Sequence, residues 1–313
     1  MVTGKNYKVG AEIFQETISE MSRLTMEANV VDFLPFMIWF GFKNTEKKMR
    51  LIQMKRDKFM QNIIEEHRRI VLQDDSVKEK NTLQILLDLQ REEPEYYSDE
   101  TIRNLLLVLV HGATHTTSAT MEWAFSHLLD NPYLLRRAQA DIDTLVGKER
   151  LIDGSDIAEL PYLHCIVNET LRLHPAAPLL SPHVSSGECT VDGFLVPRGT
   201  ILFVNAWDIQ TNDETWAEAE KFRPERFEGF RGGKNEMKFF PFGWGRRACP
   251  GENLAMRVLE LALGSLIQCF EWEKIGKIDM SEDRGTVTPK IHPLIARCNP
   301  RPFVYNLINI VHK

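Results

Sequence analysis

One cysteine lies in a short segment that is rich in glycine and arginine, FGWGRRACPG, at residues 242–251. The glycines of this segment permit backbone angles that other residues resist, and they let a bulky planar group approach the chain closely. Pro250 suits the first turn of a helix, where its missing N–H costs nothing. Cys249 therefore lies just before a predicted helix, where the helix dipole, backbone N–H groups and neighbouring arginines stabilise a thiolate.

A thiolate in a rigid loop suits the axial ligation of haem iron, and Arg247 is placed to neutralise a haem propionate. A second interpretation is a redox-sensing thiol, because the same surroundings favour the reactive thiolate form. The other four cysteines lack such a pattern and are predicted to be small buried hydrophobic residues: Cys165, Cys189, Cys269 and Cys298.

The bulk composition is that of an ordinary globular protein. The 313 residues are 43% hydrophobic and 26% charged, which is enough apolar material for one large core or two modest domains. The formal net charge of −6 lacks the basic excess of nucleic-acid-binding proteins, so no nucleic-acid partner is expected. Five cysteines without a C-x-x-C pair fit neither a disulfide framework nor a zinc site, and they indicate a reducing compartment.

Apolar residues recur at helical spacing along most of the chain, which predicts a mainly α-helical fold. Helices are predicted over 44–72, over 101–129, from Tyr133 to Gly147 after a break at Asn131-Pro132, over 155–173 and from Asn253 onward. The helix over 101–129 is apolar all round, so it is predicted to be buried. Asp-Gly and Pro-Arg-Gly turns in CTVDGFLVPRGTILFVNAW predict short strands and small β-sheets. No repeat or linker interrupts the chain, so residues 1–313 are expected to form a single domain.

The most hydrophobic stretch is VVDFLPFMIWFGF, from Val30 to Phe42. It is too short to span a bilayer and contains Asp32 and Pro35. We predict a buried turn between helices; the alternative is a surface that contacts a membrane.

Two further motifs contain charged residues at defined spacing. In NETLRLHP, Glu169 and Arg172 are three residues apart, so they share one face of a helix and can form an ion pair. Such a pair, taken alone, is usually a weak surface contact. FRPERF supplies another arginine, Arg226.

The cysteine segment resembles the haem-binding signature of the cytochrome P-450 family, Phe-x-x-Gly-x-Arg-x-Cys-x-Gly. The matching positions are Phe242, Gly245, Arg247, Cys249 and Gly251. The resemblance implies the cytochrome P-450 fold and haem b with Cys249 as the metal ligand. It also implies a buried network of Glu169, Arg172 and Arg226 that fixes the cysteine loop to the core, a structural role.

The segment LVHGATHTTSATMEW resembles the distal helix of that family. By this resemblance, Gly112 and Ala113 let oxygen and substrate approach, and the hydroxyl of Thr116 helps to deliver protons to dioxygen. The chain departs from the family pattern at His115, where a carboxylate is usual. A histidine relays protons only with a suitable tautomer and partner, so proton delivery by His115 is an open alternative to a tolerated or damaging change.

Further stretches are similar to plant microsomal members, including isoflavone and other flavonoid hydroxylases. The resemblance implies a haem-thiolate monooxygenase that hydroxylates a small apolar or phenolic secondary metabolite with O2 and electrons from NADPH. The electrons would arrive through a flavoprotein NADPH–cytochrome reductase, and Lys234, Lys238 and Arg246 would steer it. The implied substrate contacts are Leu107, Val108, His111, Gly112, Ala177, Leu179 and Thr288.

Full-length members begin with a membrane anchor, a proline-rich hinge and several further elements, including a Trp/Arg helix that binds haem propionates. We expect this N-terminal portion to be absent from the chain. The family resides on the cytosolic face of the endoplasmic reticulum membrane. Without its own anchor the chain would contact that membrane peripherally or be cytosolic. The alternative function is a truncated, non-catalytic remnant that does not hold haem productively.

Overall fold

The computed structural model describes Glu20, Val31 and residues 34–40, 44–73, 81–230, 237–283 and 285–311. Within these residues the helices are α1 (Asn44–Gln73), α2 (Thr82–Glu92), α3 (Asp99–Asp130), α4 (Pro132–Leu145), α5 (Pro161–Leu173), α6 (Ala206–Thr211), α7 (Glu252–Cys269) and α8 (Pro302–Val311). The strands are β1 (His183–Val184), β2 (Cys189–Val191), β3 (Phe194–Val196), β4 (Ile201–Leu202), β5 (Phe270–Lys274) and β6 (Ala296–Pro300). They pair antiparallel as β1 with β4, β2 with β3 and β5 with β6. The prediction of a mainly α-helical fold with small β-sheets is confirmed.

The chain divides into two compact units, Met1–Ala113 and Thr114–Lys313. In the first unit, α1, α2 and the beginning of α3 share an apolar core that includes Ile64, Leu83 and Leu106. The expectation that α3 is buried all round is wrong, because Val108 is 68% exposed and Gly112 is also exposed. The expectation of a single domain over residues 1–313 stays a prediction.

The second unit has its core where α4, α5, α7 and the end of α3 pack together. One face of α5 is buried throughout: Leu163, Ile166, Val167, Thr170 and Leu171. Because Asn168, Glu169 and Arg172 are also buried, most of this helix lies inside the unit, and His164 is an exposed exception. It is therefore in a position to hold buried charged side chains that contact several elements.

Prolines set two of the helix starts in the second unit. Pro132 begins α4 directly after the end of α3, and Pro161 begins α5. The predicted helix over 155–173 is consequently two elements, a 3-10 turn at Asp156–Glu159 and α5. α4 ends two residues before Gly147, which has a φ of +78° and suits a helix end.

The Asp-Gly turn predicted between strands joins β2 and β3. Asp192 and Gly193 have φ values of 49° and 83°, which is the backbone geometry of a tight two-residue hairpin. Cys189 and Cys298 lie exposed on β2 and β6, so the prediction that they are buried is wrong. Cys165 is buried on α5, as predicted, and Cys269 is partly buried.

The hydrophobic stretch near the N-terminus forms a 3-10 turn at Pro35–Phe40. The expectation that this turn is buried is wrong for its described side chains, because Trp39 is 87% exposed and Phe36 is also exposed. Among the residues that the structure describes, no helix is long and apolar enough to cross a membrane.

Candidate functional site

The cysteine loop is a set of tight turns that ends at Cys249. The N–H of Cys249 donates to the carbonyl of Phe242 at 2.8 Å, which closes the loop on itself. Gly243 and Gly245 have φ values of +74° and +77°, a region that only glycine adopts at little cost. Phe242 packs against the core of the second unit. The loop is therefore fixed both by its backbone and by an apolar side chain.

The thiol of Cys249 is open to an approaching group. Cys249 is exposed, and a Cβ atom added to Gly251 would lie 3.7 Å from its Sγ atom. Arg247 is exposed and forms no ion pair within the described part of the chain. Trp244 is also exposed. These three exposed side chains fit a bound haem. The sulfur of Cys249 would ligate the iron, the guanidinium of Arg247 would pair with a propionate, and the ring of Trp244 offers an apolar surface.

Glu169 lies at the centre of a buried charged network. Its Oε2 atom is 2.7 Å from Nε of Arg172, and its Oε1 atom accepts from Nη2 of Arg172 at 2.9 Å. The same Oε1 atom accepts from Nε of Arg226 at 3.2 Å. Arg226 lies in a 3-10 turn at Pro224–Phe227 that packs on α5. The structure thus brings together the three residues that the sequence motifs singled out.

The remaining nitrogens of the two arginines bind backbone carbonyls. Arg172 donates to Gln210 O at 2.8 Å and to Ala219 O at 2.7 Å. Arg226 donates to Glu218 O at 2.6 Å and also to Ala217 O. Because the guanidinium groups cross-link segments far apart in sequence, the network acts as an anchor for the chain around α6 and the 3-10 turn.

Gln210 was not found by sequence reasoning, yet it lies between this network and the cysteine loop. It is fully buried on α6, and its side-chain oxygen accepts from the N–H of Phe240 at 3.0 Å. A polar residue in a loop-rich stretch carries no periodic signal, so the sequence alone did not indicate that it is buried.

Three of the proposed substrate contacts lie on or beside the segment at residues 175–180. Thr288 donates its N–H to Ala176 O and its hydroxyl to Pro175 O, both at 3.3 Å. Ala177 is half-buried, and Leu179 is 48% exposed. The next residue along, Leu180, lies 4.0 Å from the position of a Cβ atom added to Gly243. This segment therefore connects Thr288 to the cysteine loop.

A row of aromatic and histidine side chains lies behind Thr288. Trp123 donates from Nε1 to Thr288 O at 3.0 Å, and its ring stacks on His174 at a centroid distance of 3.9 Å. His174 pairs with His127 through their Nε2 atoms at 2.9 Å and with Glu282 through Nδ1 at 2.6 Å. Burial lowers the pKa of His127 from 6.5 to about 3, and the neighbouring His174, Lys290 and Arg172 add to the effect. Sequence reasoning missed this row because it joins distant segments of the chain: Trp123 and Thr288, for example, are 165 positions apart.

The other proposed site residues lie on α3. Leu107, Val108, His111 and Gly112 belong to the first unit, whereas His115 and Thr116 belong to the second. Leu107 is buried, and Val108 and Gly112 are exposed. His115 and Thr116 are half-buried, and the Thr116 carbonyl accepts from Oγ1 of Thr120 at 2.9 Å.

The basic residues near the cysteine loop have different surroundings. Arg246 is exposed in the 3-10 turn at Gly245–Arg247. The ammonium group of Lys238 lies 4.5 Å above the ring of Trp216, so this lysine is tied to the core by a cation–π contact. Lys234 lies outside the described residues.

Comparison with known protein sequences gives one family over nearly the whole chain. The sequence model described as cytochrome P450 matches residues 3–295. Cytochrome P450 81Q32 of Catharanthus roseus is 45% identical over 100% of this chain. The isoflavone 2'-hydroxylase of Glycyrrhiza echinata is 42% identical over 97% of this chain. The chain spans 61% and 62% of the lengths of these two relatives.

Solved structures agree with the sequence relatives. A zebrafish cytochrome P450 with progesterone has a TM-score of 0.81 and 26% identity, and one with abiraterone has a TM-score of 0.79 and 25% identity. Each comparison covers 96% of this chain and 68% of the solved chain. The expected cytochrome P450 fold is confirmed by these matches.

Proposed function

Because the chain belongs to the cytochrome P450 family, we propose that it is a haem-thiolate monooxygenase in which Cys249 ligates the iron of haem b. The single observation that supports this most strongly is the exposed thiol of Cys249 in a closed loop, directly before α7. Haem, when bound, would supply the activation of O2 by which one oxygen atom enters a C–H bond and the other leaves as water, with NADPH oxidised to NADP+ and one proton taken up from solution overall.

The residues of the loop have separate tasks in this proposal. Cys249 binds through its thiolate, and Arg247 binds a propionate by a charge-assisted hydrogen bond. Gly251 keeps bulk away from the thiolate, since a side chain there would begin 3.7 Å from Sγ, and Gly245 adopts the φ of +77° that the turn requires. Phe242 anchors the loop in the core. The ligand is therefore pre-positioned before haem arrives.

In this proposal, Thr116 and His115 on α3 deliver protons. The Thr116 hydroxyl holds and donates the proton that O2 requires, and His115 stands beside it in the place where related proteins carry a carboxylate. A neutral imidazole both donates and accepts a proton, so His115 is able to relay protons from water to Thr116. Both residues are half-buried, which keeps bulk water limited around them.

The proposed substrate is a flat, small, apolar or phenolic molecule of the flavonoid type. Relatives at 42% identity carry the names isoflavone 2'-hydroxylase and (+)-piperitol/(+)-sesamin synthase, the latter from Sesamum radiatum. The side chains proposed to contact it are mostly apolar, as an aromatic substrate requires. They are Leu107, Val108, His111, Gly112, Ala177, Leu179 and Thr288.

The redox partner in this proposal is an NADPH–cytochrome reductase, a flavoprotein. Arg246 is exposed next to the cysteine loop and is suited to an acidic partner surface. The proposed location is the cytosolic face of the endoplasmic reticulum membrane, where an apolar substrate concentrates.

Turnover with an isoflavone tests the proposal. The chain is co-expressed with a plant reductase and supplied with isoflavone, NADPH and O2, and the hydroxylated product is measured by mass spectrometry. We expect product from the wild type and from Cys298→Ser, an exposed cysteine distant in sequence, and none from Cys249→Ser. Equal product from wild type and Cys249→Ser would overturn the proposal. No product from the wild type with bound haem would favour the non-catalytic alternative.

A further inference from the structure

Gln210 uses every hydrogen-bonding group of its side chain in the interior of the second unit. Its Nε2 atom donates to Leu171 O at 3.1 Å and to Arg172 O at 3.3 Å, two carbonyls in the last turn of α5. Its Oε1 atom accepts from Phe240 N at 3.0 Å. The residue is fully buried, so water cannot replace any of these partners.

The bonds of Gln210 form part of a continuous path from the buried ion pair to the thiol. Arg172, which pairs with Glu169, donates through Nη1 to the backbone carbonyl of Gln210 at 2.8 Å. Phe240, bonded to the Gln210 side chain, accepts at its carbonyl from Gly243 N at 2.9 Å. The N–H of Cys249 then donates to the carbonyl of Phe242 at 2.8 Å.

Beyond the Glu169–Arg172 pair, the side chain in this path is that of Gln210, because the links within the cysteine loop are backbone bonds. Phe240 lies two residues before the cysteine loop, so the bond to its N–H fixes the backbone where it enters the loop. A primary amide donates two hydrogen bonds and accepts at its oxygen, which is what the two α5 carbonyls and the Phe240 N–H require. A carboxylate at this position would place a negatively charged acceptor oxygen against the carbonyl oxygens of Leu171 and Arg172, which need a donor.

We propose that Gln210 is a positioning residue that transmits the rigidity of the Glu169–Arg172 pair to the cysteine loop and so holds Cys249 for ligation of haem iron. The role of Gln210 in haem ligation rests on the proposed function, whereas its effect on the rigidity of the loop does not. Gln210 touches neither the thiol nor a substrate, and it acts through Phe240.

The chain offers a closely matched control in Gln268, which is also fully buried. Gln268 donates from Nε2 to Gly147 O at 3.3 Å and to Arg150 O at 3.0 Å, and its oxygen accepts from Ile152 N at 2.9 Å. It has the same pattern of two donors and one acceptor, but it lies at the far end of α7 from Cys249. Replacement of either glutamine by methionine removes the same number of bonds at nearly constant volume.

The experiment compares Gln210→Met with Gln268→Met in the whole chain by two readouts. The first is amide hydrogen exchange at Phe240, Gly243 and Cys249 in the haem-free protein. The second is the fraction of reconstituted haem whose reduced carbon monoxide complex has the strongly red-shifted Soret band of thiolate ligation. A second variant, Gln210→Glu, serves if the methionine variant does not fold: full burial at this position favours the neutral carboxylic acid, which keeps one donor and one acceptor.

We expect the three loop amides to exchange about tenfold faster in Gln210→Met than in Gln268→Met, which is the effect of losing one buried hydrogen bond. The thiolate-ligated fraction is expected to fall in Gln210→Met alone, and Gln210→Glu should lie between wild type and Gln210→Met in both readouts. Equal changes in the two methionine variants, or unchanged loop amides in Gln210→Met, would overturn the proposal. If wild-type protein lacks the thiolate band, the proposed function fails, and the exchange data still decide whether Gln210 positions the loop.

Discussion

Glu169 and Arg172 form a bidentate ion pair in which neither side chain is exposed, with N–O distances of 2.7 and 2.9 Å. Spacing of three residues along α5 lets the two side chains meet, but their burial comes from the surrounding elements. A buried pair is stable only when its remaining donors and acceptors are satisfied, and here backbone groups at Gln210, Ala219 and Arg223 do so.

Arg172→Lys is expected to lower the free energy of unfolding by about 3–5 kcal/mol, because an ammonium group cannot make both carboxylate bonds and also reach the two backbone carbonyls. Urea unfolding at neutral pH measures the change. The control is Arg297→Lys, in an exposed pair with Glu273, where the expected loss is about 0–1 kcal/mol. Losses of similar size in the two variants would contradict a special role for the buried pair.

His127 is expected to make the protein less stable in mild acid. Its pKa is about 3 in the folded chain, chiefly because burial disfavours the charged ring, against 6.5 when exposed. As the pH falls from 6.5 toward 3, His127 binds a proton in the unfolded chain but stays neutral in the folded chain. The free energy of unfolding should therefore fall by about 1.4 kcal/mol per pH unit on account of this residue.

His127→Leu should flatten that dependence between pH 6 and about pH 4.5, even though the variant is less stable at neutral pH because His174 loses a partner. The measurement is a series of urea titrations over this range. His183→Gln, at an exposed position on β1, should keep the wild-type slope. Parallel curves for wild type and His127→Leu would show that His127 is protonated without penalty in the folded chain.

Gly243→Ala is expected to loosen the cysteine loop. The φ of +74° at this position costs a non-glycine residue about 1–2 kcal/mol, and the added Cβ would contact Ala248 and Leu180. Gly147 has a similar φ of +78° at the end of α4, with open space around it, and provides the control. Both alanine variants should lose similar stability, but only Gly243→Ala should reduce haem retention by thiolate ligation. Equal haem retention in the two would be inconsistent with the loop as the binding element.

His115→Asp tests proton delivery on α3. If His115 stands where a carboxylate serves best, the aspartate variant should form more product per NADPH consumed and release less peroxide. The expected gain in coupled turnover is up to about tenfold, which is less than the full contribution of a positioned proton donor because His115 already relays protons in part. Thr116→Val should reduce coupling in both backgrounds, whereas Thr116→Ser should restore it. A His115→Asp variant with unchanged coupling would show that His115 already relays protons adequately.

The sequence predicted the local features of the site, because each is encoded within a few residues. Glycine and proline positions indicated the turns around Cys249 and the helix that follows. The Asp-Gly pair indicated the hairpin of β2 and β3. The spacing of Glu169 and Arg172 indicated that they share one helix face. In each case the physical cause is backbone geometry or helical periodicity, which short segments determine by themselves.

The features that sequence reasoning missed depend on contacts between distant segments. Gln210 reaches Phe240 across 30 positions, and Trp123 reaches Thr288 across 165. Cys189, Cys298 and Val108 were expected to be buried because they are apolar, yet they are exposed on the described surface. Burial is set by what packs against an element, and residue type alone does not determine it.

The reduced carbon monoxide difference spectrum of the haem-reconstituted chain tests the central claim most directly. We expect the strongly red-shifted Soret band of a thiolate-ligated complex for wild type and for Cys298→Ser, and its loss in Cys249→Ser. A wild-type band at the position typical of histidine-ligated haem, or a red-shifted band that survives in Cys249→Ser, would contradict the assignment of Cys249 as the iron ligand.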